Sequence, residues 1–585
     1  MSPTTRCSGI SHRTRGFMSL VDALEYAAQG DTGLNFYDGS GSLSAALPYA
    51  QLAQDARILA TRLLGLGVKR GARVGIVAET DPMFPRFFFA CQYAGLIPVA
   101  LPAGLQMGGG EAYVEQLSRM LESCGAAVAV APESHLSFLK RATRQLSLRM
   151  SGSPEDFDAL PAVPVKLLPL SADEPAYLQY TSGSTRFPRG VEMTQTAVLA
   201  NLTEIAEIGT RITADDRIVS WLPYYHDMGL VGCLLVPVAT QISADFLSPR
   251  TFAMRPRLWL KLLSENRGTI SSSPPFGYEL CATRVRMTDT ERYDLSAWRV
   301  ACVGAERINP RPLKQFANVL APAGFNPKAF LPCYGMAEVG LAISFAPLED
   351  GYFVDDVAKA SMSAEGLAIE ATEGDRAKGN TLSFVDCGAA LPSYDVSIRD
   401  ESGRELDERE CGRIWVRGPS LMRGYFRDPV TTAEVMKPGG WLDTGDIGYR
   451  IGRRLFLTSR AKDVIIINGR NIWPQDLEQL AERLPEVRLG AISAFSVTRP
   501  NQEELAVMVV ESRNAGRELS DELSGMVREH FGINCYIELA PPRTLPRTSS
   551  GKLSRARARA DFLDRTAWDA DGYPMTAPEV QAQAG

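Results

Sequence analysis

Residues 180–190 hold the densest group of side chains in this chain that could bind a polyphosphate. Two glycines, four aliphatic hydroxyls and two arginines follow the apolar stretch 175–180, which reads as a strand entering a loop. Glycine lets the backbone approach phosphate oxygens, N–H groups and hydroxyls donate to them, and Arg189 supplies charge. No Gly-Lys-Ser/Thr follows at the Walker spacing, which excludes a P-loop NTPase. Taken alone, the same composition is also typical of an ordinary turn.

Six further stretches carry polar or charged residues that are ambiguous one by one. They are 221–229, 332–338, 441–446, 459–460, 469–474 and 545–553. Read alone, His226 is more often structural, Glu338 fits a solvated helix N-terminus and 441–446 fits a turn. Arg460 fits a surface charge, and 545–553 fits an exposed basic linker. Their joint occurrence in this order is far more specific than any one of them.

Together with the 180–190 loop, these stretches resemble the adenylate-forming superfamily, which includes acyl-CoA synthetases, luciferases and the adenylation domains of peptide synthetases. The resemblance covers roughly residues 20 to 565 and implies that ATP and Mg²⁺ serve to activate a carboxylate. The residues implied to contact ATP or AMP are Thr181, Ser182, Gly183, Ser184, Thr185, Arg189, Gly190, Gly304, Ala305, Glu306, Tyr334, Gly335, Met336, Asp446 and Arg460.

The resemblance also implies a task for each group. The loop would bind the β- and γ-phosphates. Tyr334 would pack on adenine, and Asp446 with Arg460 would hold the ribose hydroxyls. Glu338, assisted by the Thr185 hydroxyl, would hold Mg²⁺, a hard cation suited to oxygen ligands.

Three residues are implied in catalysis: Lys552, His226 and Glu338. His226 would lie near the substrate carboxylate, and Lys552 would reach in from a small C-terminal domain. When a carboxylate attacks the α-phosphorus of ATP, negative charge develops on the transferring and leaving oxygens. Catalysis therefore depends mainly on cations and hydrogen-bond donors held next to these oxygens. Lysine suits this task as a compact charge on a flexible stem.

Departures from the superfamily pattern favour one branch of it. Arg186 stands where glycine is usual, and Ala337 stands where threonine is frequent. About fifty residues separate Glu338 from Gly388, roughly twice what acyl-CoA synthetases need there. The extra segment, at about 352–380, is also compatible with a tolerated surface loop, because lengthening a loop costs little closure entropy.

This combination looks like the fatty acyl-AMP ligases. The resemblance implies activation of a fatty acid as acyl-adenylate and transfer to the phosphopantetheine thiol of a separate holo acyl carrier protein of the polyketide or peptide synthetase type, with free CoA a poor acceptor. The 352–380 insertion would pack on the large domain and restrain the small one, and Lys462 would be the hinge. Met228, Ser272 and Ser273 are candidates for the wall of an acyl tunnel.

Three other interpretations stay open. A medium- or long-chain fatty acyl-CoA synthetase would share the first half-reaction and differ in accepting CoA. A peptide-synthetase-like domain would usually place an aspartate early in its pocket, and no clear equivalent occurs here. A non-catalytic nucleotide-binding or carrier-docking protein would be expected to lack a chemistry-bearing residue, yet Glu338, Asp446, Arg460 and Lys552 are all present.

The elements that must position these residues are predicted to be α/β. Apolar strand candidates alternate with helical patterns. They lie at 73–78, 96–101, 126–131, 218–222, 269–272 and 299–303. They predict a large N-terminal domain of doubly wound, mostly parallel sheets. Short alternating segments then predict a β subdomain, followed by a small mobile C-terminal α/β domain.

The composition shift along the chain sets the predicted boundaries. We predict a large domain over 1–459, a hinge over 460–463, a small domain over 464–568 and a disordered tail over 569–585, with the β subdomain at about 382–457.

Bulk properties exclude several classes of protein. A formal net charge of −6 argues against a dedicated nucleic-acid binder. No run of about eighteen apolar residues is present, so no integral membrane association is predicted, and the N-terminal residues lack the apolar core of a secretory signal. Ten scattered cysteines without a Cys-x-x-Cys pair are typical of a reduced, cytoplasmic protein.

Overall fold

The computed structural model describes residues 2–5, 8–104, 110–181, 188–285, 290–467, 470–488, 490–500, 503–513, 516–547, 553–569 and 573–575. The predicted α/β class is confirmed: two large mixed sheets share one hydrophobic core, and smaller sheets follow toward the C-terminus.

The larger sheet has nine strands. In spatial order they are Ala389–Ala390, Ala342–Phe345, Phe330–Gly335, Val300–Val303, Ile270–Ser273, Arg217–Ser220, Ser243–Leu247, Gly33–Tyr37 and Leu43–Pro48. The six strands from Phe330–Gly335 to Gly33–Tyr37 are parallel, and antiparallel strands flank them on both sides. Because parallel strands end at the same edge, the segments after these strands meet there. The predicted site residues His226, Ala305 and Glu338 lie on those segments.

The second sheet has seven strands. In order they are Gly424–Tyr425, Gly190–Thr194, Pro175–Tyr180, Ile97–Leu101, Arg73–Val77, Ala126–Val130 and Met150–Gly152. Its centre is parallel, and the hairpin of Pro175–Tyr180 with Gly190–Thr194 is antiparallel. Pairing of Gly424–Tyr425 with this hairpin brings Tyr425 to the turn that carries the predicted phosphate loop.

Amphipathic helices cover both sheets. They run over Leu20–Ala27, Tyr49–Gly65, Met83–Ala94, Gly110–Cys124, Glu133–Ala142, Pro154–Asp158, Gln195–Glu204, Val236–Ala239, Pro249–Met254, Arg257–Glu265, Pro275–Arg284 and Pro310–Leu320. In the last of these, Leu313, Phe316 and Leu320 are buried at helical spacing, and the Asn309 side chain accepts the Arg311 N–H at its start.

Two segments are π-helical, Ile205–Gly209 and Met228–Leu235. π-turns are rare and occur frequently at functional sites. Residues of both segments line the cleft described below.

A third sheet follows, together with the segment predicted as an insertion. Its strands are Asp395–Arg399, Gly412–Arg417, Trp441–Ile451, Met436–Lys437 and Arg454–Arg460, with a helix at Pro429–Val435. Strands Val354–Ala358 and Thr381–Val385 pair and enclose helices Lys359–Glu365 and Glu373–Ala377.

The insertion is packed rather than loose. Val357, Met362 and Ala368 are buried in one cluster with Tyr449 and Phe456 of the third sheet and with Trp473 of the C-terminal region. The segment therefore has secondary structure and a buried face, and its role remains a prediction.

The C-terminal region has hydrophobic clusters of its own. It contains the strand pair Ile465–Ile467 with Arg470–Ile472, the three-stranded sheet Ile492–Thr498, Glu504–Glu511 and Cys535–Ala540, and the helices Pro474–Ala481, Arg517–Phe531 and Arg555–Arg565. Within the described residues, no helix is both long enough and apolar enough to cross a bilayer.

Candidate active site

A single continuous cleft joins most of the predicted residues. It encloses about 1850 Å³, including its open mouth. Tyr334, Glu338 and Arg460 line a polar part of it, called the polar end below, and Ile212, Ile218 and Ile270 line an apolar part, called the apolar branch. A cleft with a charged end and an apolar branch fits a substrate that has a polar head and a hydrocarbon tail.

The polar end is built on a tyrosine, a carboxylate and a guanidinium. The Tyr334 hydroxyl donates to Asp446 Oδ2 at 2.8 Å, and Arg460 Nε lies 3.3 Å from Asp446 Oδ1. Asp446 and Arg460 face each other in the register of strands Trp441–Ile451 and Arg454–Arg460. The Asp446 carboxylate raises the pKa of Arg460, so this cation stays charged. The arrangement offers a carboxylate acceptor and a cationic donor to a diol such as ribose.

Backbone segments approach closely beside this group. A side chain at Gly335 would clash with the Leu341 carbonyl oxygen, and a Cβ at Gly304 would lie 2.8 Å from the Cys333 carbonyl oxygen. Ala305 adopts a left-handed φ of 70° and lines the cleft. Gly335 and Met336 line it as well, whereas Gly304 and Glu306 are not among its lining residues.

Glu338 is a buried carboxylate at the polar end. It sits in the 3₁₀ turn Ala337–Val339 and accepts the Tyr425 hydroxyl at Oε1, 2.8 Å away. Burial raises the pKa of this carboxyl. The Arg189 guanidinium lies 5.4 Å from the centre of the Tyr425 ring, so a cation stands on the other side of the same tyrosine.

The Glu338 carboxylate could hold Mg²⁺ only if a bound ligand supplies further oxygen atoms. The described residues contain no group of three or more His, Cys, Asp or Glu side chains that could hold a metal alone. Mg²⁺ is commonly held by one or two carboxylates plus substrate phosphates. One buried carboxylate beside a predicted phosphate loop meets that description.

The predicted phosphate loop is closed by the hairpin. Tyr180 pairs with Gly190, and the Thr181 N–H donates to the Arg189 carbonyl at 2.9 Å. Thr181 and Arg189 line the cleft. The predicted residues Ser182, Gly183, Ser184, Thr185 and Lys552 lie outside the part of the chain that the structure describes.

His226 is a further residue in the wall of the cleft. Its Nδ1 is 2.7 Å from Asp227 Oδ1, and the Asp227 carboxylate also accepts the Met228 N–H at 2.8 Å. A carboxylate at Nδ1 fixes a histidine tautomer and orientation. Nε2 is then the nitrogen available to a ligand in the cleft.

The apolar branch includes two of the three predicted wall residues. Met228 and Ser272 line it, whereas Ser273 does not, because its hydroxyl donates to the Pro274 carbonyl at 2.9 Å. Further lining residues, which sequence reasoning missed, are Ile205, Thr210, Ile212, Ile218, Gly232, Val236, Leu341 and Phe345. Met228, Gly232 and Val236 are spaced by four residues, which was the available signal.

Lys462, the predicted hinge residue, also lines the cleft. The preceding Ala461 N–H donates to the Gly445 carbonyl at 2.9 Å, next to Asp446. The predicted hinge therefore begins at the polar end of the cleft.

Comparison with known proteins agrees with this geometry. Residues 36–426 match the family of AMP-binding enzymes. A protein of Caulobacter vibrioides named as an acyl-CoA synthetase is 42% identical over 97% of this chain and 99% of its own. The medium-chain-fatty-acid–[acyl-carrier-protein] ligase JamA of Moorena producens is 30% identical over 95% of this chain and 97% of its own.

A solved structure gives the same result. One chain from a study of fatty acyl-adenylate ligases from E. coli and L. pneumophila has a TM-score of 0.89 and 44% identity, over 95% of this chain and 99% of that one. The fold, the cleft and these similarities agree. The chain therefore belongs to the AMP-binding enzyme family and is a ligase related to the fatty acyl-AMP ligases.

Proposed function

We propose that this enzyme uses ATP to convert a fatty acid to fatty acyl-AMP with release of pyrophosphate, and then transfers the acyl group to the phosphopantetheine thiol of a separate holo acyl carrier protein. The observation that carries the proposal is that one cleft is lined both by Arg460, which is paired with Asp446, and by the residues of the apolar branch, with His226 in the same wall. The name of JamA supports a carrier-protein acceptor among the relatives.

Adenylation would proceed by positioning and charge stabilisation. One oxygen of the fatty acid carboxylate bonds to the α-phosphorus while the bond from that phosphorus to the bridging oxygen breaks, and pyrophosphate leaves with the electron pair. Arg189 and Lys552 would stabilise the charge that develops on the phosphate oxygens. Asp446 and Arg460 would hold the ribose, and His226 would orient the carboxylate.

Glu338 and Thr185 would hold Mg²⁺. When bound, the ion neutralises charge on the phosphate oxygens during the displacement. The Tyr425 hydroxyl, which donates to Glu338, would fix the orientation of this carboxylate.

The choice of acceptor is inferred from the insertion. Its buried cluster includes Trp473, and its Lys359 Nζ donates to the His530 carbonyl at 2.9 Å and lies 3.4 Å from the centre of the Phe531 ring. Both His530 and Phe531 end the helix Arg517–Phe531. These contacts connect the C-terminal region to the insertion. They would limit the movement of the C-terminal region that free CoA needs in order to enter the site.

A medium- or long-chain acyl-CoA synthetase is the alternative, and the name of the Caulobacter relative favours it. The deciding experiment incubates the protein with ATP, Mg²⁺ and dodecanoate, then adds CoA or a holo acyl carrier protein and follows products by mass spectrometry. Acyl-adenylate that persists with CoA and is consumed by the carrier would support the ligase. Acyl-CoA formed at a comparable rate would establish the synthetase.

Filling the apolar branch should change chain-length preference. In Gly232→Leu, the new side chain starts with a Cβ 3.1 Å from Leu341 Cδ2 and extends into the branch. We expect kcat/KM for tetradecanoate to fall by about 10-fold or more, with a much smaller change for hexanoate, because only the longer tail needs the lost volume. Pyrophosphate release across a series of fatty acids measures this.

The adjacent Cys233 provides a matched control. It is buried in the same π-helix and does not line the cleft, so Cys233→Ala should leave the chain-length profile unchanged. Equal losses for both fatty acids in Gly232→Leu would show that this branch does not hold the tail.

Weakening the contact between the insertion and the C-terminal region should increase acyl transfer to CoA. Lys359→Ala removes the hydrogen bond to His530 and the cation–π contact with Phe531, and we expect transfer from acyl-adenylate to CoA to rise by roughly 3- to 10-fold. Lys378→Ala, at an exposed position of the same insertion, should not change it. CoA transfer that stays at the wild-type level in Lys359→Ala would contradict the restraining role.

A further inference from the structure

One buried amide in the wall of the cleft has no task in the mechanism above. Gln179 lies in the otherwise apolar strand Pro175–Tyr180, is 1% exposed and lines the cleft. Among the residues that the structure describes, neither its Oε1 nor its Nε2 has a hydrogen-bond partner. A buried polar group left unpaired is destabilising, so native proteins rarely keep one without a reason.

The strand register fixes the direction of this side chain. Gln179 pairs with Ala100 on one side and Val191 on the other. Ala100, Val191 and Tyr177 all belong to the core between the two large sheets, whereas Leu178 belongs to the cluster on the opposite face. Because neighbours in register share a face and side chains alternate along a strand, the Gln179 amide points toward the core that carries the cleft.

That direction places the amide in the wall of the cleft. Thr181 of the same hairpin lines the cleft too, as do His226 and Asp227, whose Nδ1 and Oδ1 atoms are 2.7 Å apart. A fatty acid whose tail fills the apolar branch and whose carboxylate faces the nucleotide must put its carboxylate where the polar end meets the apolar branch, and Gln179 and His226 are the candidate donors there. A neutral amide there can donate to a carboxylate without adding charge.

We propose that Gln179 is a substrate-binding catalytic residue whose Nε2–H donates to the carboxylate of the fatty acid. This inference rests on the proposed function. In adenylation one carboxylate oxygen forms the bond to the α-phosphorus, the phosphorus–pyrophosphate bond breaks, and the pair of electrons leaves with pyrophosphate. Gln179 holds the other oxygen, which becomes the carbonyl oxygen of the mixed anhydride. No proton moves in this step.

The proposal predicts an unusual combination of effects for Gln179→Met. Methionine has a similar length and no polar atoms, so it removes the unpaired amide from the free enzyme as well as the donor from the complex. We expect kcat/KM for the fatty acid to fall by about 10- to 100-fold, the scale for losing a hydrogen bond to a charged group, with the KM for ATP unchanged. The Tm should not fall.

Tyr177→Phe is the matched control. Tyr177 lies two residues before Gln179 on the same face, and its buried hydroxyl likewise has no hydrogen-bond partner within the described part of the chain, but it does not line the cleft. This variant should also keep its Tm and should keep wild-type adenylation. Gln179→Asn, which draws the amide back by one methylene, should lose activity as well, and it replaces the methionine variant if that one does not fold.

Pyrophosphate release and thermal unfolding decide the outcome. A Gln179→Met enzyme that keeps wild-type kcat/KM for the fatty acid would overturn the proposal. A lowered Tm together with an equal loss of kcat/KM for ATP would overturn it too. That pattern would mean that the amide stabilises the fold through a buried water network. If the wild-type protein forms no acyl-adenylate, the proposed function fails instead, so the two failures are distinguishable.

Discussion

Replacing Lys552 by alanine should lower acyl-adenylate formation by on the order of 10²–10³-fold, the scale for losing one preorganised stabiliser of transition-state charge. The α-phosphate that the carboxylate attacks is already anionic, and the transition state spreads negative charge over transferring and leaving oxygens. A single ammonium group next to these oxygens therefore acts mainly on the chemical step. Single-turnover measurement of acyl-AMP with saturating ATP and fatty acid tests this directly.

Acyl transfer to the carrier protein should be retained in Lys552→Ala. Preformed acyl-AMP supplied to Lys552→Ala no longer needs the phosphate chemistry, so acyl transfer to a holo carrier protein should stay within a few fold of wild type. Arg557→Ala, at an exposed position of the C-terminal helix, controls for a general loss of positive charge. Near-normal adenylation in Lys552→Ala would remove this lysine from the mechanism.

Glu338→Gln should lower adenylation by roughly 10²-fold, with a higher Mg²⁺ requirement, because the amide cannot supply the negative oxygen that the cation prefers. The fold should tolerate it. The amide oxygen can still accept the Tyr425 hydroxyl, and burial already disfavours the charged carboxylate, as its raised pKa indicates. A Mg²⁺ titration of pyrophosphate release, together with Tm, separates these effects.

Tyr425→Phe isolates the role of the hydrogen bond. It leaves the carboxylate in place and removes only its donor, so a loss of less than about 10-fold is expected. A Glu338→Gln enzyme with an unchanged Mg²⁺ dependence would show that the cation is bound elsewhere.

The polar half of the site could be predicted from sequence because its members sit in short, local motifs. His226 and Glu338 each follow an apolar strand of the larger sheet, whose parallel strands end at one edge, whereas Asp446 lies inside strand Trp441–Ile451 of the third sheet. The structure places all three in or beside the cleft. What each does there remains a prediction.

The apolar half could not be predicted in the same way. Its lining residues come from separate elements, such as Ile205 and Gly232 on two π-helical segments and Phe345 on the antiparallel strand Ala342–Phe345. An apolar residue that faces a cavity has the same sequence pattern as one that faces a core. The contrast between Ser272 and Ser273 likewise depends on strand alternation and on a local hydrogen bond, which no motif records.

Gln179 illustrates a signal that was available and was not used. A glutamine inside a strand whose other members are apolar is unusual in sequence, since buried polar groups require partners. Only the structure reveals that the partner is missing.

Arg460, which is paired with Asp446, directly precedes residues 461–463, and this position has a consequence for the order in which products leave. Between the proposed adenylation and transfer steps, the C-terminal region would rotate about this short segment. Parts of the region far from the segment would move by many ångströms, whereas the bound nucleotide would lie almost on the axis of rotation. The contacts to ribose would then be the same before and after the turn. AMP would stay bound while pyrophosphate leaves first and the loaded carrier leaves second, and it would compete with the next ATP for the resting enzyme.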